Sequence, residues 1–193
     1  MSDDPLRIAP LPPSEWPVEM RAALAPMRAP NPPPLPAGQS RPKGLNVLGT
    51  FAHHPDLTAA FMTFNAHILN ASTLSPRQRE LAILRVATLR NARYEWAQHV
   101  ILAGDAGIDE IEIARVTVGP DALGWDPLEQ ALLRAVDELI AEATVTDATW
   151  SALTVALDER QALDLVFTVG AYDTLAMALR VCGTPLDDDL TQH

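Results

Sequence analysis

From Lys43 onward apolar residues recur every three to four positions, and no alternating run lies between hairpin turns, so an all-α chain is predicted. "HPDLTAAFMTFNAHILNAS" has this period, with Pro55 suited to a first helical turn. In "TLSPRQRELAILRVATLR", Ser75 is a natural N-cap, Pro76 a natural first residue, and Gln78 completes a capping box. A short break near Asn91 precedes a helix from Arg93 to Ala106, stopped by Gly107. "IDEIEIARV" reads as a brief helix capped by Asp109, and "GPDALGW" as a turn-rich link. Asp126 and Pro127 open "LEQALLRAVDELIAEA", and Thr146 or Asp147 caps another short helix. Finally, "DERQALDLVFTVGAYDTLAMALRVCG" reads as one long buried helix ending at Gly183. The expected architecture is a compact helical bundle.

The pattern before Lys43 is different. Twelve of the seventeen prolines fall in residues 1–42, including the run "APNPPPLPAG". Proline fixes φ and removes a backbone donor, so this segment is expected as an extended arm wrapping its own domain or a neighbouring subunit. Within it, "SEWPVEMRAAL" suits one short helix anchored by Trp16 and Met20. The chain thus divides into an arm (1–42), a helical domain (43–186) and an acidic tail (187–193) expected to fray.

Charge and composition narrow the function. A formal charge of −11 argues against nucleic acid, whose phosphates need a concentrated positive surface, and fits colloidal solubility. One local exception is the cluster Arg77, Arg79, Arg85, Arg90 and Arg93, opposed only by Glu80. It suits either an anionic substrate or structural ion pairs. Cys182 is the single cysteine, so an intramolecular disulfide or dithiol cycle is excluded. No run of eighteen apolar residues suggests a membrane span, and the first residues lack a secretory pattern, so a cytoplasmic location is expected.

Against this background three polar residues stand out in apolar helical stretches. Glu80 shares a face with Ile83, Leu84 and Ala87, surroundings that raise a carboxyl pKa toward the range of a general acid or proton shuttle. The alternative is an ion pair with Arg77, Arg85 or an arginine from another helix. Glu95 and His99 lie four residues apart on one helix face, where a carboxylate orients an imidazole for proton transfer. His67 shares a face with Ala60 and Phe64, and either lines the same pocket or packs as a hydrogen-bonded histidine. Tyr172 follows Gly170 in the last helix and is a candidate hydrogen-bond donor to a ligand or a core tyrosine. His53 and His54 suit capping, and Trp96, Trp125 and Trp150 suit packing. The Glu-x-x-His of di-iron bundles, H-E-x-x-H and G-x-S-x-G are all missing, so neither a metal nor a serine triad is expected.

"LGTFAHHPDL", "STLSPRQRELAILRVATLRNARYEWAQHVILAGDAGI" and "DLVFTVGAYDTLAMAL" together resemble the carboxymuconolactone decarboxylase family, whose relatives include the alkylhydroperoxidase D proteins. The resemblance runs from about Lys43 to Gly183 and implies an all-helical homo-oligomer with its pocket near subunit contacts. It matches Glu80 and His99 to the glutamate and histidine of the peroxidase branch, and Ala92 and Glu95 to that branch's two cysteines. With both thiols gone, sulfenate and disulfide steps are not available. The decarboxylase branch is similar in having Glu and His without the dithiol. The resemblance therefore implies a cofactor-independent acid/base enzyme acting on a small carboxylated or lactone substrate. His99, oriented by Glu95, would transfer the proton, Glu80 would relay it or hold a water, and Arg85 would contact an anion. Two other readings stand beside it: a peroxidase-related protein that has lost its redox cysteines, and a non-catalytic ligand-binding oligomer.

Overall fold

The computed structural model describes residues 4–28 and 43–190; the run "APNPPPLPAG" and the last three residues of the acidic tail lie outside the described residues. Among the described residues there are nine α-helices, three short 3-10 turns and no strand. In chain order the helices are α1 (Met20–Ala23), α2 (Leu45–Phe51), α3 (Pro55–Asn70), α4 (Pro76–Arg90) and α5 (Arg93–Asp105), then α6 (Glu110–Val118), α7 (Pro127–Glu142), α8 (Asp147–Thr154) and α9 (Glu159–Cys182). They form two compact units, one of residues 72–178 and one that joins the N-terminal residues up to 71 with residues from 179 onward.

In the first unit α4 is central. Every residue from Glu80 to Ala87 is buried, so this helix has no solvent face along its middle. Leu81, Ile83 and Leu84 are fully enclosed, each contributing roughly 1.5–3 kcal/mol of hydrophobic stabilisation. Helices α5, α6 and α7 pack around it. The expected capping box closes its start: Ser75 Oγ accepts from the Gln78 N–H, and the Gln78 side chain accepts from the Ser75 N–H. Asn91 ends it in the left-handed region at φ 54°. The same reciprocal box opens α6 through Asp109 and Glu112, and α7 through Asp126 and Glu129. Thr146, rather than Asp147, caps α8. Arg77 at the start of α4 joins these helices, donating through Nε to Glu129 at 2.6 Å and through Nη2 to Glu112 at 2.6 Å.

The second unit contains the described part of the arm. Trp16 Nε1 donates to the Leu11 carbonyl, and its ring packs on a cluster of Met20, Ala23 and Ala52. Met20 packs as the expected anchor, although the helix there is only the four residues Met20–Ala23. The backbone N–H groups of Arg7 and Ile8 both donate to the Cys182 carbonyl. The described part of the tail packs on this unit: Asp187 is buried and accepts from the Asn46 N–H at 2.7 Å, while Leu190 at the end of a 3-10 turn is buried too.

Helix α9 departs from its expected full burial. Ala162, Leu165, Val169, Tyr172 and Ala176 are buried, but Leu163, Val166, Phe167 and Met177 are exposed along another face. By length and composition alone α9 could cross a membrane, a possibility the absence of an eighteen-residue apolar run had argued against. Its buried face belongs to a core helix.

Ala143, the residue after α7, sits at φ 58°, where an L side chain is strained. It is exposed, and a glycine there relieves the clash. Ala143→Gly is expected to stabilise the protein by roughly 1 kcal/mol, read as a higher urea midpoint at unchanged slope.

Candidate functional site

The site grows from the middle of α4 and the first two turns of α5. Asn91 in its left-handed conformation turns the chain sharply, so α5 runs back along α4 and brings His99 to Glu80. His99 Nδ1 and Glu80 Oε2 are 2.6 Å apart, with the two residues 5% and 1% exposed. A carboxylate oxygen can only accept, so Nδ1 carries the hydrogen and Nε2 is the nitrogen left for a ligand. On the other side, Arg79 Nε donates to Glu80 Oε1 at 3.2 Å. Burial alone would raise the Glu80 pKa. The electrostatic attraction and hydrogen bond of His99, joined by those of Arg79, outweigh it and hold the carboxyl below its ordinary value. The expected partner of His99 was Glu95, its neighbour one helical turn away. The structure corrects this: Glu80, from another helix, makes the bond.

Tyr172 of α9 completes the cluster. Its ring meets the imidazole edge to face, with centroids 4.9 Å apart and planes at 89°. Burial first, and then the charges of Glu80 and Glu95, push its phenol well above 10.0. Tyr172 is therefore a neutral wall for the imidazole, fixing the ring plane that the Glu80 bond leaves free to rotate.

Glu95 is the outlier. It is 1% exposed, yet neither carboxyl oxygen has a hydrogen-bond partner among the described residues. Burial, followed by the nearby charge of Asp173, drives its pKa well above 4.5, so it stays a neutral acid. Asp173 itself is paired with Arg90. Beside Glu95, Ala92 packs with Ala87 and Ala176 in a tight cluster covered by Trp96.

The remaining expectations divide. Arg85 was expected to contact an anion, but it is buried and engaged elsewhere. Its Nε and Nη2 donate to Asp137 at 2.6 and 2.9 Å, and its Nη1 donates to the carbonyls of Val116 and Thr117. This tie between α4, α6 and α7 is the structural ion pair. His67 lies on α3, in the second unit, on an exposed face with Ala60 and Phe64. Glu80, Glu95, His99 and Tyr172 thus come together in the first unit. Arg79 belongs with them and was missed as a site residue, because only its place beside Glu80 in sequence signalled it. Among the described residues no three His, Cys, Asp or Glu side chains are grouped as metal ligands.

The state of Glu95 has a measurable sign. The unfolded chain ionises this residue near 4.5, whereas the folded protein keeps its proton to higher pH. Between those two values the folded state binds more protons, so stability falls as pH rises. Glu95→Gln removes that slope. The melting midpoint of the variant relative to wild type is expected to climb as pH is raised above 4.5 and to level off below it. Parallel curves for the two proteins would mean that Glu95 is ionised.

Residues 55–138 match the model of the carboxymuconolactone decarboxylase family, a span that includes Glu80, Glu95 and His99. No curated protein matches the sequence. Among solved structures, the chain is similar to the alkylhydroperoxidase AhpD core of an uncharacterized peroxidase-related protein from Ralstonia eutropha JMP134. That likeness has 18% identity and a TM-score of 0.74, and covers 96% of each chain. An uncharacterized peroxidase-related protein from Silicibacter sp. TM1040 is similar at 16% identity and TM-score 0.69, over 76% of this chain and 78% of that one. The debrominase Bmp8 is similar at 14% identity and TM-score 0.70, over 95% of this chain and 93% of that one. The helical fold is therefore of the alkylhydroperoxidase D type, and the segment bearing the buried Glu–His pair is similar to the carboxymuconolactone decarboxylase family.

Proposed function

We propose that the chain is a cofactor-independent acid/base enzyme that moves a proton at a carbon next to the carbonyl of a small carboxylated or lactone substrate. The observation that carries this reading is the buried Glu80–His99 hydrogen bond of 2.6 Å. An ionised carboxylate on Nδ1 fixes the tautomer, points Nε2 at a ligand and stabilises the imidazolium formed when a proton arrives. His99 is the base and returns the proton. Glu80 acts through His99 as its positioning residue, and Arg79 holds the far oxygen of Glu80 in place. Decarboxylation, isomerisation and lactone hydrolysis all draw on this proton transfer.

The redox reading suggested by peroxidase-related neighbours has less support. Cys182 is the single cysteine, and its burial in α9 pushes the thiol up and away from the reactive thiolate. Assembly is a second part of the proposal. The exposed Leu163, Val166, Phe167 and Met177 face of α9 suits a second copy of the chain, in keeping with a homo-oligomer.

The test is proton exchange in deuterated water with α-angelica lactone, followed by NMR at the carbon beside the carbonyl. Wild-type protein is expected to accelerate exchange, and His99→Ala and Glu80→Gln to slow it by about a hundredfold or more. Exchange that is missing in wild type, or unchanged in both variants, overturns the reading.

A further inference from the structure

A neutral carboxylic acid enclosed without a partner is an expensive arrangement, because the desolvated oxygens regain nothing in the folded chain. Every other charged side chain in the middle of this unit is paired: Glu80 with His99 and Arg79, Arg85 with Asp137, Arg90 with Asp173. Glu95 alone among these is left with both oxygens unmet, one helical turn before His99 and on the same helix. Tyr172 closes the other side of His99, its ring lying edge to face against the imidazole. The two carboxyls therefore occupy opposite environments, one bonded to His99 and Arg79 and one buried with no partner among the described residues. That division is how proteins separate a base from an acid.

Resting on the acid/base reading above, we infer that the unpartnered Glu95 carboxyl is a hydrogen-bond donor subsite for the carbonyl oxygen of the substrate. The ligand it takes is a small conjugated or enolisable carbonyl compound, whose oxygen sits at Glu95 while the neighbouring carbon faces His99. The step balances without an external oxidant or reductant. His99 Nε2 takes the proton from carbon, the C–H electron pair moves to form the carbon–carbon double bond, and the carbonyl oxygen receives the Glu95 proton. On return, the enol proton goes back to Glu95 as the carbonyl reforms, and His99 delivers its proton to carbon. Glu95 is thus a catalytic residue that touches the substrate, and the chemistry is a proton shift with no change of oxidation state.

Tetronic acid tests the subsite, because at neutral pH it is an enolate whose oxygens mimic the charge built up on the carbonyl. Its binding is measured by calorimetry on full-length wild type, Glu95→Gln, Glu95→Leu and His99→Ala, each checked by thermal melting. Wild type is expected to bind. Glu95→Gln keeps an N–H donor and should bind within a few-fold, whereas Glu95→Leu should lose about tenfold to a hundredfold. Glu95→Leu should also melt higher than wild type, because an unmet polar group is gone, so lost binding is not lost folding. Equal binding by wild type and Glu95→Leu, or no binding by wild type, overturns the inference. If lactone exchange still depends on His99 in that case, the subsite assignment has failed and the acid/base reading has not.

Discussion

A helix enclosed on all sides must find partners for each charge it carries, because an ion taken from water without one is far too costly to keep. Helix α4 meets this demand along its length. Arg77 is met by Glu112 and Glu129, Glu80 by His99, Arg85 by Asp137 and Arg90 by Asp173. Those partners come from α6, α7, α5 and α9, so each ion pair selects one neighbouring helix. Apolar packing draws these helices together without direction. The charges on α4 decide which helix lies where and in which register, since a one-turn slip would leave a buried ion alone. The segment at residues 55–138 that matches the family model contains α4, α5 and α6 and most of α7, while the Asp173 partner on α9 lies beyond it.

The same demand shapes the chemistry. Two glutamates with the same side chain lie on successive helices, both 1% exposed, and their carboxyl pKa values move in opposite directions because Glu80 is bonded to His99 and Arg79 and Glu95 to neither. Arg79 and His99 keep Glu80 charged, and a charged Glu80 in turn keeps the His99 tautomer fixed. Glu95 is buried with no hydrogen-bond partner among the described residues and lies near the charge of Asp173, so the proton stays on. A pair of functional groups with complementary roles thus arises from a difference in partners, with no unusual residue type.

Much of this was legible in the chain. Capping chemistry is local, so Ser75, Asp109 and Asp126 marked helix starts that the structure reproduces. The buried polar residues Glu80, Glu95 and His99 were also visible, because an ionisable group inside an apolar repeat stands out. Their pairing was not. The spacing of Glu95 and His99 suggested a local bond, whereas the bond formed joins residues nineteen apart, Glu80 and His99, across the turn at Asn91. Local rules report which side chains share a face; they are silent on what a second helix brings to that face. Arg85 shows the same gap, since its partners Val116, Thr117 and Asp137 arrive from distant segments. The exposed apolar face of α9 was hidden for another reason. Its apolar residues surround the helix, so the sequence carried no stripe to tell the inner side from the outer.

The alanine cluster beside the site limits what side chain position 92 can hold. Ala92 stands where the peroxidase branch it resembles carries its first cysteine, and it is 2% exposed against Ala87 and Ala176. A sulfur at that position meets a closed wall, and overpacking of this kind costs about 1–3 kcal/mol. The second thiol would have to replace Glu95 at the same time, since one cysteine alone makes no dithiol. A cysteine placed at position 92 alone would therefore lose stability and gain no disulfide, so packing sets a cost on redox chemistry here before any chemistry is tried.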